Sequence, residues 1–379
     1  MAAKELNDTA NIAISRDSAT KDAKRSGFLH DILAFIALDA AISAALTLAR
    51  NTSNPPSRHA AGRPVAKNAP GVAADRPSQI PPKGLLQVAR RVYTQIGEDR
   101  VMAEAAGVTY YSLLAIFPAI AALISIYGLF SNPSTISDNL QALRGIVPDG
   151  GMQIISDQVH SLTSAPNKAL SLGVIFGLLI SIWSANAAMK SLFDALNAVY
   201  EQHETRSFLH RTWLSLLFTL GALLFVIFAM LAVVALPALL SMIGFADSTK
   251  WLLSLGRWPL LLGAIMLFLA ALYRYGPSRA KAKWRWVSWG SAFAACAWIM
   301  ASAGFSWYVA NFGSYNKTYG SLGAAVGFMT WIWISAIIIL VGAELNAELE
   351  HQTARDSTAG PEKPLGTRGA KRADAVAAV

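Results

Sequence analysis

Apolar residues in this chain gather into long runs instead of alternating with polar ones. The clearest, 322–343, holds no charged residue and then stops at Glu344, Asn346, Glu348 and Glu350. About twenty such residues, at 1.5 Å rise each, match a bilayer core of roughly 30 Å. Lipid offers the backbone no hydrogen-bond partner, so a run of this kind has to be a helix. Comparable runs occupy 105–130, 169–188, 213–240, 258–273 and 287–310, the fourth of them slightly short for a span. The pattern predicts an all-α polytopic membrane bundle of six transmembrane helices.

The segments around these runs carry other periods. In 84–105, Leu85, Val88, Val92 and Ile96 fall on one helical face with Arg90 and Arg91 opposite. That pattern predicts an amphipathic helix on the cytoplasmic leaflet. In 131–168, Ile136, Leu140, Leu143 and Val147 make one stripe, and Met152, Ile155, Val159 and Leu162 another. Pro148 to Gly151 breaks the helix between them, so two short helices form a periplasmic cap. Residues 1–83 read as a cytoplasmic extension, largely disordered, with a proline-rich linker at 51–82. Within it, 28–49 is an apolar helix interrupted by Asp31 and Asp39. As a span it would put a carboxylate at membrane depth, and as a signal it begins late and lacks a cleavage site. A helix that lies on the membrane or binds a partner is the reading we favour. Residues 84–352 form the membrane domain, and 353–379, polar and rich in Ala and Gly, is expected to be a disordered cytoplasmic tail.

Composition agrees with the pattern. The chain is 54% hydrophobic and 15% charged, against about 25% charged in soluble domains. The net charge of +9 is not gathered on one stripe, so no nucleic-acid partner is expected. Arg274, Arg279, Lys281, Lys283 and Arg285 occur without an intervening acid. By the positive-inside rule, that connector, the one at 190–211, and both termini face the cytoplasm. The single cysteine, Cys296, lies in an apolar run and reads as a small buried hydrophobe.

With these segments placed, four stretches carry a family likeness: GVTYYSLLAIFP at 107–118, WSANAAMKSLFDALNAVYE at 183–201, RYGP at 274–277, and YNKTYGSLGAAVGFMTWIWISAIIILVGAELNAELE at 315–350. In order and spacing the chain resembles the YihY/BrkB family of bacterial inner-membrane proteins over residues 85–352. The resemblance implies six membrane helices with both termini cytoplasmic. Members of that family have carried the label ribonuclease BN, a role in resistance to serum killing, and links to lipid or lipopolysaccharide export.

A metal-dependent ribonuclease needs clustered His and Asp ligands to hold an ion and activate water. The six histidines, His30, His59, His160, His203, His210 and His351, form neither H-x-H-x-D nor H-E-x-x-H. No P-loop and no nucleophile elbow occur in the sequence, so no catalytic residue, metal or cofactor is assigned. Polar groups at membrane depth are costly and mark candidate pathways. Tyr110, Tyr111 and Pro118 in the first run, Asn186 in the second, and Glu344, Asn346 and Glu348 below the sixth are the candidate pathway or gate residues. Glu344 and Glu348 share a helix face from which Asn346 points away, and ion pairs to Arg274, Lys190 or Arg100 would make them an anchor instead. The pairs Gly173 and Gly177, and Gly323 and Gly327, are expected at close helix contacts within or between subunits. Trp251, Trp258, Trp284, Trp286 and Trp307 read as interface belts. Membrane lipids, envelope-assembly proteins and a second copy of the chain are the expected partners. The leading expectation is movement or handling of an amphiphilic envelope molecule. The alternative is a non-transporting scaffold for envelope assembly, and a ribonuclease ranks last.

Overall fold

The computed structural model describes residues 70–130, 167–230, 232, 247–312 and 321–377. The helix expected at 28–49 and the paired stripes expected to form cap helices within 131–166 lie outside the described residues. The ordered elements are α1 (Pro82–Glu98), α2 (Val101–Phe130), α3 (Asn167–Val199), α4 (Phe208–Met230), α5 (Asp247–Tyr275), α6 (Trp284–Phe312), α7 (Ser321–His351) and a single turn, α8 (Lys371–Asp374). Outside helices, an isolated bridge joins Ala282 and Thr358. Among the described residues, four stretches are long and apolar enough to cross a membrane: Phe208–Ala229, Leu255–Tyr275, Trp284–Val309 and Ala325–His351. The run at 258–273, expected to be slightly short, is thus of full length, because the apolar stretch of α5 begins before Trp258 and runs through Pro259 without a break.

The outward surface of these helices is apolar. On α4, Trp213, Leu217, Leu220, Leu224 and Ile227 are exposed, as a helix facing lipid requires. Inside, Phe193, Leu196, Leu272, Tyr273, Val287, Ala294, Ala295 and Leu340 form a common core. Side chains tie the helices together where lipid supplies no competing water. Tyr273 donates to the Ile339 carbonyl at 2.8 Å, Trp298 Nε1 to Ser335 Oγ at 3.0 Å, and Trp333 Nε1 to the Met102 carbonyl at 3.0 Å.

Helices α6 and α7 cross closely. A Cβ on Gly290 would stand 2.0 Å from the Gly342 carbonyl oxygen, and one on Gly342 would stand 2.6 Å from the Tyr273 hydroxyl. Gly327, by contrast, has open space around it within this chain. Gly173, Gly177 and Gly323 sit on α3 and α7.

Several sequence expectations need correction, beginning with Cys296, which is exposed and not a buried hydrophobe. The helix at 84–105 is not simply laid on a leaflet: Val88 is buried with Ala74, Ile80, Trp286 and Leu349, and Val92 and Leu345 pack against them. Trp286 therefore belongs to this small core and not to an interface belt, while Trp258, Trp284 and Trp307 are exposed as belts require. The tail is folded from 353 to 377. Its composition resembles a linker, yet its few polar residues satisfy its own turns. Asp374 accepts from the backbone N–H of Gly366, Arg368, Gly369 and Ala370. Arg368 donates to the carbonyls of Ala354 and Ala373 at 2.6 Å each. Gly369 takes a positive φ of 74°, which costs glycine little, and its carbonyl accepts from Ala280 N. Residues 70–80 belong to the same folded end. Gln352 donates to the Pro70 carbonyl at 2.6 Å, and Thr353 to that of Ala74 at 2.7 Å.

A buried ionic floor at the charged end of the bundle

Below its apolar stretch α7 carries Glu344, Asn346, Glu348 and Glu350, all buried. Successive helical positions turn them toward different neighbours. Asn346 points to α6, where its Oδ1 accepts from Gly290 N at 2.8 Å and its Nδ2 donates to the Val287 carbonyl at 3.2 Å. The glycine allows that approach, since a Cβ there would also lie 2.5 Å from Asn346 Nδ2. Glu350 receives a forked pair from Arg279 at 2.6 and 3.0 Å and a bond from Ser357 Oγ at 2.8 Å. Arg279 in turn lies over the ring of Tyr200, 4.2 Å from its centroid, and the nearby Glu350 and Tyr200 hold its charge firmly although burial opposes it.

Glu348 pairs with Arg91 of α1 and, at 2.7 Å, with Arg372 of α8. His351 Nδ1 stands 3.6 Å away. Glu344 faces Arg372 at 3.6 Å, and neither of its carboxylate oxygens has a hydrogen-bond donor. The partners are therefore Arg91, Arg279 and Arg372, and not the Arg274, Lys190 or Arg100 that proximity to the basic connectors predicts. Asp99, in the turn between α1 and α2, lies 3.5 Å from Arg372. Burial pushes its carboxyl up to about 7, against the opposing pull of Arg372. No sequence motif marks Arg372, Arg91 or Asp99, because their separation along the chain hides their convergence.

The connector after α3 is clamped to the turn after α5. Asn197 accepts from Ser278 N at 2.7 Å, and Arg206 donates to the Gly276 carbonyl at 2.8 Å while pairing with Glu204 at 2.7 Å. Burial raises the Glu204 carboxyl, but the side-chain and backbone bonds of Arg206 outweigh it and bring the group down to about 2. Arg211 and Asp194 pair at 2.8 Å. Beside this clamp is an open cleft of about 710 Å³, lined by Arg206, His210, Arg274, Tyr275, Lys281 and Lys371 among others. The Arg274 guanidinium lies 4.8 Å from the Trp284 ring centroid, and the Lys281 ammonium 5.2 Å from that of Tyr275.

The remaining expected pathway residues do not join this floor. Tyr110 is exposed on the outer face of α2, edge-on to Tyr111 at 5.4 Å. Backbone helix continues past Pro118 to Phe130. Asn186 is buried on α3, and its Oδ1 has no hydrogen-bond partner. Among the described residues, no three His, Cys, Asp or Glu side chains are placed to hold a metal ion.

Comparison with known proteins agrees with the apolar helices. Residues 92–366 match the family described as virulence factor BrkB. The chain is similar to the putative ribonuclease-like protein YfkH of Bacillus subtilis, 29% identical over 254 residues that cover 65% of this chain and 89% of that one. A UPF0761 membrane protein of Methylibium petroleiphilum is 27% identical over 66% of this chain, a match spanning 59% of its own length. One from Idiomarina loihiensis is 27% identical over 68% of this chain and 88% of its own. No solved structure matches. With its long lipid-facing helices, and with a family match over most of its length, the chain is a multi-pass membrane protein that belongs to the BrkB family.

Proposed function

We propose that this protein is a six-span inner-membrane protein, with both termini cytoplasmic, that moves or handles an amphiphilic envelope molecule. The observation that carries this reading is the cleft beside α5. Arg206 is neutralised by Glu204 and Arg279 by Glu350, whereas Arg274, Lys281 and Lys371 have no carboxylate partner among the described residues. Basic groups stacked on aromatic rings at the end of apolar helices suit an anionic headgroup whose tails remain in lipid. The family name virulence factor BrkB is consistent with a role at the cell envelope. The ribonuclease-like name of YfkH finds no support in the sequence, where neither metal-ligand motif occurs, and we assign no hydrolytic activity. Partners would be membrane lipids, and no nucleic acid. The scaffold reading draws on α1 and the folded 352–377 segment, which together present an ordered protein surface at the charged end.

The test is lipid exchange between leaflets by purified full-length protein in liposomes of bacterial lipids, compared with Glu344→Gln and Pro118→Ala. Exchange above protein-free vesicles, reduced in both variants while they remain folded, is the expected result. Exchange equal to that of empty vesicles across anionic and zwitterionic lipids would remove the transport reading in favour of the scaffold.

A further inference from the structure

Arg372 is buried among four carboxyl groups. Within 4 Å of its guanidinium lie Asp99 at 3.5 Å, Glu201 at 3.4 Å, Glu344 at 3.6 Å and Glu348 at 2.7 Å. With its amide turned to face the guanidinium, Gln95 accepts from it at 3.1 and 3.3 Å. Arg91 also engages Glu348, and His351 Nδ1 lies 3.6 Å from the same carboxyl. Four carboxyl groups from three parts of the bundle thus converge on one guanidinium. Glu344 is fully buried and aimed at Arg372, yet no donor reaches either of its oxygens. An anchor alone would need one or two matched partners, and an unpaired buried carboxylate is costly.

The cradle is built by the bundle, and its occupant comes from elsewhere. Asp99 and Glu201 follow α1 and α3, and Glu344 and Glu348 stand on α7. Glu201 itself holds a left-handed backbone with φ of 50°, as does Arg100 beside Asp99, with φ of 53°. Such conformations are strained for residues with a side chain. Arg372 sits instead on the four-residue turn α8, in a segment that satisfies its own turns through Asp374 and Arg368. The carboxylates are not gathered closely enough for a metal ion among the described residues. Their spread around a planar, multi-donor group suits a guanidinium or a primary ammonium.

We propose that Asp99, Glu201, Glu344 and Glu348 form a binding site for a guanidinium or ammonium group, which Arg372 of the chain's own 352–377 segment fills as a displaceable plug. Withdrawal of α8 would open the end of α7 and expose Glu344 and Glu348 to a cationic ligand. This inference is independent of the lipid-handling reading.

The experiment uses the full-length protein in nanodiscs and follows backbone hydrogen exchange in 366–377. Low-millimolar ethylguanidinium chloride is the probe, and sodium chloride of equal ionic strength is the control. In the unmodified protein, ethylguanidinium is expected to speed exchange in that segment saturably, while sodium chloride does not. In Arg372→Ala, exchange there is expected to be faster by on the order of a hundredfold, as loss of a buried ion pair implies. Ethylguanidinium should then raise the melting midpoint of that variant, and raise it less when Glu344→Gln is added. Equal effects of the two salts on the unmodified protein would overturn the proposal even if Arg372→Ala failed to fold. Unchanged exchange in a folded Arg372→Ala would overturn it as well.

Discussion

At Gly342 a hydrogen atom decides whether two helices can meet. Its Cβ would press on the Ala294 Cβ at 2.8 Å and the Gly290 oxygen at 2.8 Å, as well as on the Tyr273 hydroxyl. Two of these neighbours are backbone or a methyl group with no room to rotate away. Gly342→Ala is therefore expected to cost about 1–3 kcal/mol by overpacking. Gly327→Ala, which meets nothing within 4 Å, should leave stability unchanged within error. Thermal or denaturant unfolding in detergent distinguishes the two, and equal losses would place the tight crossing elsewhere. Glu204 gives a second test at this scale. Its folded value of about 2 lies below the ordinary glutamate value of 4.5. The stability it confers is complete above about pH 4.5 and is lost as pH falls toward 2. An acid unfolding series should show that loss in the parent protein and a smaller one in Glu204→Gln.

Among the elements, α1 shows how an amphipathic stripe acquires a partner. Its periodicity predicts a face to be buried, but it does not say whether lipid or protein covers it. Val88 is 1% exposed in the small core around Trp286, and Arg91 from the same helix reaches Glu348. Val88→Ala removes buried methyl groups and should cost on the order of 1–2 kcal/mol. Its effect is expected as faster hydrogen exchange across both α1 and the end of α7, because the two are joined by Glu348. Exchange raised in α1 alone would show that the helices are held independently.

For the whole molecule, the charged connectors after α3 and after α5 meet in one clamp through Asn197, Arg206 and Ser278. In the proposed topology both lie on the same side of the membrane. Labelling with a membrane-impermeant maleimide tests this in a Cys296→Ala background. Ser207→Cys and Arg285→Cys should be protected in intact cells and labelled after permeabilisation. In the proposed topology, Ser137→Cys should be labelled from outside. Opposite behaviour of Ser207→Cys and Arg285→Cys would contradict the clamp itself, whereas joint labelling from outside would only invert the orientation.

The run 322–343 and its abrupt acidic end were legible in the sequence because helix and bilayer impose fixed lengths on apolar residues. The same holds for the membrane class of the chain, the helical spacing of Leu85, Val88, Val92 and Ile96, and the separation of Asn346 from the Glu344 and Glu348 face. These are local consequences of composition and period. Which cation meets which carboxylate was not legible. Arg91, Arg279 and Arg372 come from three separate parts of the chain, 257, 71 and 24 residues from the α7 carboxylates they meet, and no spacing singles them out from Arg274, Lys190 or Arg100. The order of 353–377 was hidden for a related reason: a few polar side chains closing turns leave no periodic trace. The Gly290 and Gly342 crossing belongs here too, since it pairs one glycine from each of two helices instead of two on one. Sequence determined that this is a membrane protein of long apolar helices, because burial in lipid acts on each run alone. Tertiary structure decided what the charged end is made of, because ion pairs and close backbone approach depend on distances that only the folded chain sets.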